Sequence, residues 1–171
     1  TIPRHGVIEV EGRSIQKAST DAIVSAGIVQ VPQGRGTFPE LTVADNLLAG
    51  AYVRRDGAKA IAEDISKWYS VFPRLQERAL QRAGSLSGGQ REILLIGRAL
   101  VGNPRLLLID EPTEGLAAIV IEDIFKILCQ MKSQLSAVIV EQNLSIVSKL
   151  ADRVFLMKAG KVERTISEKA E

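Results

Sequence analysis

The sequence predicts an α/β fold, a mostly parallel sheet flanked by helices with a helical insertion. Three observations predict it. Apolar runs of strand length stand at residues 27–31, 105–110 and 137–140. Stretches with helical spacing, at 87–101, 119–135 and 143–150, alternate with them. Residues 43–80 carry helical patterns alone and lie between the first apolar run and the others. Apolar runs joined by helices belong to parallel sheets covered on both faces.

The elements follow in order. Residues 7–10 alternate and stop at Glu11-Gly12, a turn signal, so they form a short strand entering a hairpin. Residues 19–26 form a short helix. The strand at 27–31 is stopped by Pro32, and the glycine- and proline-rich loop QGRGTFPEL follows. Thr42 and Asp45 make a capping-box pattern that starts a helix through Leu47 and Leu48. Residues 58–72 place Ile61, Ile65, Trp68, Tyr69 and Phe72 at helical spacing, and Pro73 ends that helix. A short amphipathic stretch runs on to about Leu80. The helix at 87–101 exits at Pro104 and leads into the strand at 105–110. Residues 119–135 put Ile124, Leu128, Met131 and Leu135 on one helical face. Residues 154–157 and 162–166 are closing strands around a turn at Gly160.

With 171 residues, the chain is long enough for one domain with its own core. It is 46% hydrophobic and 25% charged, an ordinary globular composition. A net charge of +2, from 22 basic and 20 acidic residues, is too small to argue for a nucleic-acid surface, and no nucleic-acid partner is expected. The longest apolar runs are far shorter than the roughly 20 residues of a spanning helix, and no signal-peptide pattern opens the chain. The single cysteine, Cys129, excludes an internal disulfide and is expected to be a buried thiol. The single histidine, His5, lies near a terminus in a turn-like Pro-Arg-His-Gly stretch, which argues against chemistry built on a central histidine.

Two segments carry chemistry. In Leu86-Ser87-Gly88-Gly89-Gln90, a capping box explains Ser87 and Gln90 but not the paired glycines. Glycine in a first helical turn costs up to about 1 kcal/mol against alanine, so two in a row suggest close approach by another group, and phosphate is the natural candidate. In LLLIDEP, an apolar strand ends in Asp110 and Glu111. Many strands end in polar residues. Asp110, however, is well placed to hold Mg²⁺ through a water, and Glu111 to orient or deprotonate an attacking water.

These segments resemble the nucleotide-binding subunit of an ATP-binding cassette (ABC) transporter. LSGGQ is similar to that family's signature, LLLIDEP to its Walker B strand with the catalytic glutamate, and Val31-Pro32-Gln33 to its Q-loop. The resemblance implies a P-loop NTPase fold of the ABC ATPase type, with ATP and Mg²⁺ as cofactors. It implies a catalytic core at 1–37 plus 89–171 and a helical signature subdomain at about 38–88 that receives the transmembrane subunit. Glu111 and Gln142 would be catalytic, and Asp110 and Gln33 would hold the metal. Gln33, Ser87, Gly88, Gly89 and Gln90 would meet the nucleotide, the signature acting in trans on ATP held by a second ATPase subunit. The partners implied are that subunit, transmembrane permease subunits and, indirectly, a solute-binding protein, at the cytoplasmic face of the membrane. VPQGRGTFPELTVADNLLAG, EPTEGL and VEQN resemble the smaller ATPase of importers for branched-chain amino acids, with urea and amide importers as close relatives.

The chain departs from the family pattern in three places. No G-x-x-x-x-G-K-[ST] occurs, so the loop that cradles phosphates is expected to fall upstream of Thr1 and the chain alone to be inactive. Gln142 stands where most members carry a switch histidine. Ala117 stands where most carry an aspartate. A non-hydrolysing module that docks on a transporter is the alternative. Chromosome-maintenance ATPases share two of the motifs, but their long heptad coiled coils are absent here.

Overall fold

The computed structural model describes residues 5–34 and 36–167. Pro3 and Arg4 of the N-terminal turn, and Arg35 of the VPQGR segment, lie outside them. The strands are β1 (Glu9–Val10), β2 (Arg13–Ser14), β3 (Ile28–Val31), β4 (Leu106–Asp110), β5 (Ser136–Val140), β6 (Arg153–Lys158) and β7 (Lys161–Ser167). The helices are α1 (Thr20–Ser25), α2 (Val43–Ala49), α3 (Ala58–Val71), α4 (Pro73–Gln76), α5 (Gly88–Val101), α6 (Ala118–Met131) and α7 (Leu144–Leu150).

Three strands form the parallel sheet, in the order β3-β4-β5. Ile28 faces Leu106, and Asp110 faces Val140. β1-β2 and β6-β7 are separate antiparallel hairpins, the second with an irregularity at Leu156/Met157. Up to its terminal Asp110, β4 is apolar on both faces, because Leu107 and Ile109 are fully or nearly buried on one face while Leu106 and Leu108 are half-buried on the other. Coverage stops at β5, where every residue but Ile139 is exposed.

The helices lock by removing side chains where backbones meet. A Cβ at Gly50, capping α2, would lie 1.9 Å from the Arg98 carbonyl oxygen of α5. A Cβ at Gly97 would lie 2.1 Å from Nε1 of Trp68 on α3. Glycine in a helix interior sacrifices about 1 kcal/mol of propensity, and here it admits the one tryptophan of the chain into the core. Arg54, with a side chain only 5% exposed, ties the helical block to the core. It bonds Asp56, Asp64 at 2.7 Å and the Val101 carbonyl at the end of α5 at 2.7 Å.

One expectation fails here. Cys129 is exposed. The buried stripe of α6 runs through Ile124, Ile127 and Leu128, and the next residue rotates about 100° away from it. Met131 ends the helix, and Leu135 packs against the core from beyond it.

Candidate functional site

Parallel strands deliver their carboxyl ends to one edge of a sheet, and ligands gather there in open α/β folds. Three of the chain's candidate residues meet at that edge. Gln33 follows β3, Glu111 follows β4 and Gln142 follows β5. The Gln33 side-chain amide donates to Glu111 Oε2 at 2.8 Å. The Gln142 side-chain amide donates to Glu111 Oε1 at 2.7 Å. The Glu111 carboxylate is thus held between two neutral amides, one from each flanking loop.

The backbone of Glu111 is unusual. Its φ is +46°, the left-handed region, which costs a non-glycine residue about 1–3 kcal/mol. The conformation persists because both ends are held. The Glu111 N–H donates to the Val140 carbonyl at 2.9 Å, and the two amides grip the carboxylate.

Gln33 also donates to the Glu114 carboxylate. Both hydrogens of its Nε2 are then spent on acids, which leaves Oε1 as a spare oxygen acceptor. Asp110 is half-buried at the end of β4, and among the described residues nothing hydrogen-bonds its carboxylate. A carboxylate and an amide oxygen suit Mg²⁺, which prefers oxygen ligands and keeps several waters. Among the described residues no group of three or more His, Cys, Asp or Glu side chains makes an all-protein metal cage.

The glycine-rich turn stands apart. Among the described residues no hydrogen bond joins Ser87, Gly88, Gly89 or Gln90 to Gln33, Asp110, Glu111 or Gln142. Ser87 is exposed and caps α5 through a complete capping box, at 3.3 Å to the Gln90 N–H and 3.1 Å in return. The two glycines differ. A Cβ at Gly88 would meet nothing within 4 Å, so that face is open. A Cβ at Gly89 would lie 2.9 Å from Val120 of α6, so packing within the chain already requires that glycine.

Residues that sequence inspection passed over hold this edge together. The buried Thr113 hydroxyl donates to Glu141 Oε2 at 2.7 Å, and Glu141 Oε1 accepts from the backbone of Gln142 and Asn143. Asn46, fully buried on α2, exchanges hydrogen bonds of 2.9 Å with the backbone of Phe38 and so clamps the loop after Gln33. Arg98 of α5 donates to the Gly36 carbonyl at 2.5 Å and lies 4.7 Å from the centre of the Phe38 ring. Burial lowers its pKa. A polar Asn between Val43 and Leu47 in an apolar helix face was the visible signal for one of these.

The family model described as ABC transporter matches residues 1–114. The high-affinity branched-chain amino acid transport ATP-binding protein BraG of Pseudomonas aeruginosa is 40% identical over 158 residues, covering 92% of this chain and 67% of that protein. LivF of Archaeoglobus fulgidus, named as a probable branched-chain amino acid transport ATP-binding protein, is 30% identical, covering 92% and 66%. The chain therefore spans about two thirds of the length of these curated relatives. A nucleotide-free ATP-binding cassette from an ABC transporter superposes with a TM-score of 0.80 at 26% identity, covering 97% of this chain and 71% of that one. A dimeric post-hydrolysis cassette bound to ADP and Pi shares the fold, with a TM-score of 0.85 at 22% identity over 100% and 77%.

Proposed function

The chain belongs to the ABC transporter family, and from that premise we propose that it serves in the ATP-hydrolysing, energy-coupling subunit of an importer for branched-chain amino acids. The observation that carries the proposal is the Glu111 carboxylate held between Gln33 and Gln142 at the sheet edge. In that place Glu111 orients a water for attack on a terminal phosphate and takes its proton, while Gln142 holds the carboxylate by a hydrogen bond without titrating itself. Asp110 and the Gln33 oxygen would hold Mg²⁺, which supplies charge neutralisation at the phosphates. The open face at Gly88, beside the capped start of α5, suits the approach of a nucleotide held by a second ATPase subunit.

Residues 38–88 are proposed to receive the transmembrane permease subunits. Phe38, Leu41, Leu48, Tyr52 and Leu80 are all exposed on that block, which supports an apolar docking face there. Among the described residues no helix is long and apolar enough to cross a membrane; a peripheral place at the cytoplasmic face is proposed from the likeness to importer ATP-binding proteins. The solute reaches the transporter through other subunits, so a urea or amide importer fits the same site equally well.

No G-x-x-x-x-G-K-[ST] occurs in the 171 residues, and a docking module without hydrolysis is the alternative reading. Phosphate-release assays separate the two. The 171-residue chain is expected to turn over no ATP above background. A version extended upstream to carry a phosphate-binding loop is expected to hydrolyse ATP and to lose about 10²–10⁴-fold in kcat on Glu111→Gln. If the extended version binds ATP but shows no turnover, the docking module is the better description.

A further inference from the structure

We infer that Glu141, acting with Thr113, is a positioning residue that sets where the Gln142 amide meets Glu111, a role that rests on the proposed part of those two residues in hydrolysis. The Glu141 carboxylate serves three donors. Its Oε1 gathers the backbone N–H of Gln142 at 2.8 Å and of Asn143 at 2.9 Å. Its Oε2 takes the Thr113 hydroxyl at 2.7 Å.

The first two bonds fold the chain back onto its own side chain where Gln142 departs, so they set the direction in which Gln142 points. The third bond reaches the loop after β4, two residues beyond Glu111. One carboxylate therefore anchors both ends of the Gln142–Glu111 contact. Register alone does not. β4 and β5 hold Asp110 opposite Val140, and the Glu111 N–H reaches the Val140 carbonyl. Past that point, the only hydrogen bonds crossing between the two loops among the described residues are Thr113 to Glu141 and Gln142 to Glu111.

The residue types suit the task. A carboxylate offers two acceptor oxygens and no donor, which three converging hydrogens require, whereas an amide offers one oxygen. Thr113 is only 7% exposed, so its hydroxyl has no water to fall back on and the bond is kept. A misplacement of about 1 Å at the reacting groups costs on the order of 100-fold in rate, so such an anchor is felt in turnover.

Two measurements test this. In the 171-residue chain, Thr113→Val is expected to move the side-chain amide NMR signals of Gln142 and the backbone signals of Gln142 and Asn143. The strand signals of Leu107 and Val138 stay in place, and Thr113→Ser keeps the native pattern. In the version carrying a phosphate-binding loop, Thr113→Val and Glu141→Ala are expected to lower kcat about tenfold at unchanged KM for ATP, with Thr113→Ser restoring it. Thr113→Val is close to isosteric, so it remains informative if Glu141→Ala fails to fold. Native kcat together with unmoved Gln142 signals in Thr113→Val overturns the positioning role while leaving hydrolysis intact. If Glu111→Gln leaves turnover unchanged, the hydrolytic roles fall instead. The Gln142 signals of Thr113→Val then decide the positioning alone, upheld if they move and overturned if they do not.

Discussion

Glu92 sits two residues past Gln90 on α5, half-buried, with a buried Oε1 that has no hydrogen-bond partner. Burial pushes its pKa from 4.5 up to about 7. A carboxyl whose pKa is raised by folding holds its proton more tightly in the native state. Its stabilising contribution is therefore greatest at low pH and is lost between about pH 4.5 and 7. Glu92→Met removes the ionisable group and keeps an apolar stem. Its stability relative to the unmodified chain is expected to improve between pH 5 and pH 8, by roughly 1–2 kcal/mol once the full linkage value is discounted for the carboxyl's partial exposure to solvent. Urea denaturation at the two values reads this directly, and an equal difference at both would show that Glu92 does not titrate as described. The same scale holds the residues that sequence inspection could not assign. Glu141 stands within VEQN beside Gln142, yet nothing in its neighbours along the chain shows that its carboxylate reaches Thr113, 28 positions away.

Helices α5 and α6 show how differently two ends can be built. α5 starts with a complete capping box, legible in the Ser87–Gln90 spacing. α6 starts at Ala117, whose φ of −68° and ψ of 147° are those of an N-cap, with no side-chain bond to the helix. Val120 N–H turns back to the Ala117 carbonyl at 2.9 Å, while the N–H groups of the exposed Ala118 and Ile119 are open to water. Ala117→Asp is expected to stabilise the chain by about 1 kcal/mol, through a cap and a favourable charge at the helix start. Thermal denaturation checks it, and an unchanged or lower Tm would count against a helix that begins here. Periodicity placed every helix and strand of the core to within a few residues, because the apolar stripe that a helix or strand must bury is written along the chain. It could not place Cys129, which lies one position beyond that stripe. Nor could it show why Gly50, Gly89 and Gly97 are glycines, since the groups that exclude a Cβ come from other helices.

Across the whole molecule, burial is uneven. The core is dense from β3 through α5 to β4, where Val31, Leu94, Ile96 and Leu107 are wholly buried. At β5 it thins. Val138 and Val140 are 56% and 54% exposed on one face of a strand that has no neighbour on its outer side among the described residues. An apolar edge strand with free backbone groups is a template for pairing with other chains. Val138→Lys is therefore expected to keep the 171-residue chain monodisperse to a concentration several-fold higher than the unmodified chain. Static light scattering at increasing concentration measures this, and an unchanged onset of association would place the sticky surface elsewhere.

Family resemblance singled out Gln33 and Gln142; the sequence pattern by itself determined the order of elements, the parallel sheet, the helical insertion and the strand-end acids Asp110 and Glu111. It could do so because each depends on residues close together in the chain, a period, a cap or a strand end. Only the tertiary structure decided that Glu111 is gripped from both sides, that Gln33 turns its nitrogen to two acids, and that Glu141 and Thr113 brace the two loops. Those contacts join residues 28 to 81 positions apart. Hydrogen bonds act over about 3 Å, and only the sheet's register brings such distant residues that close.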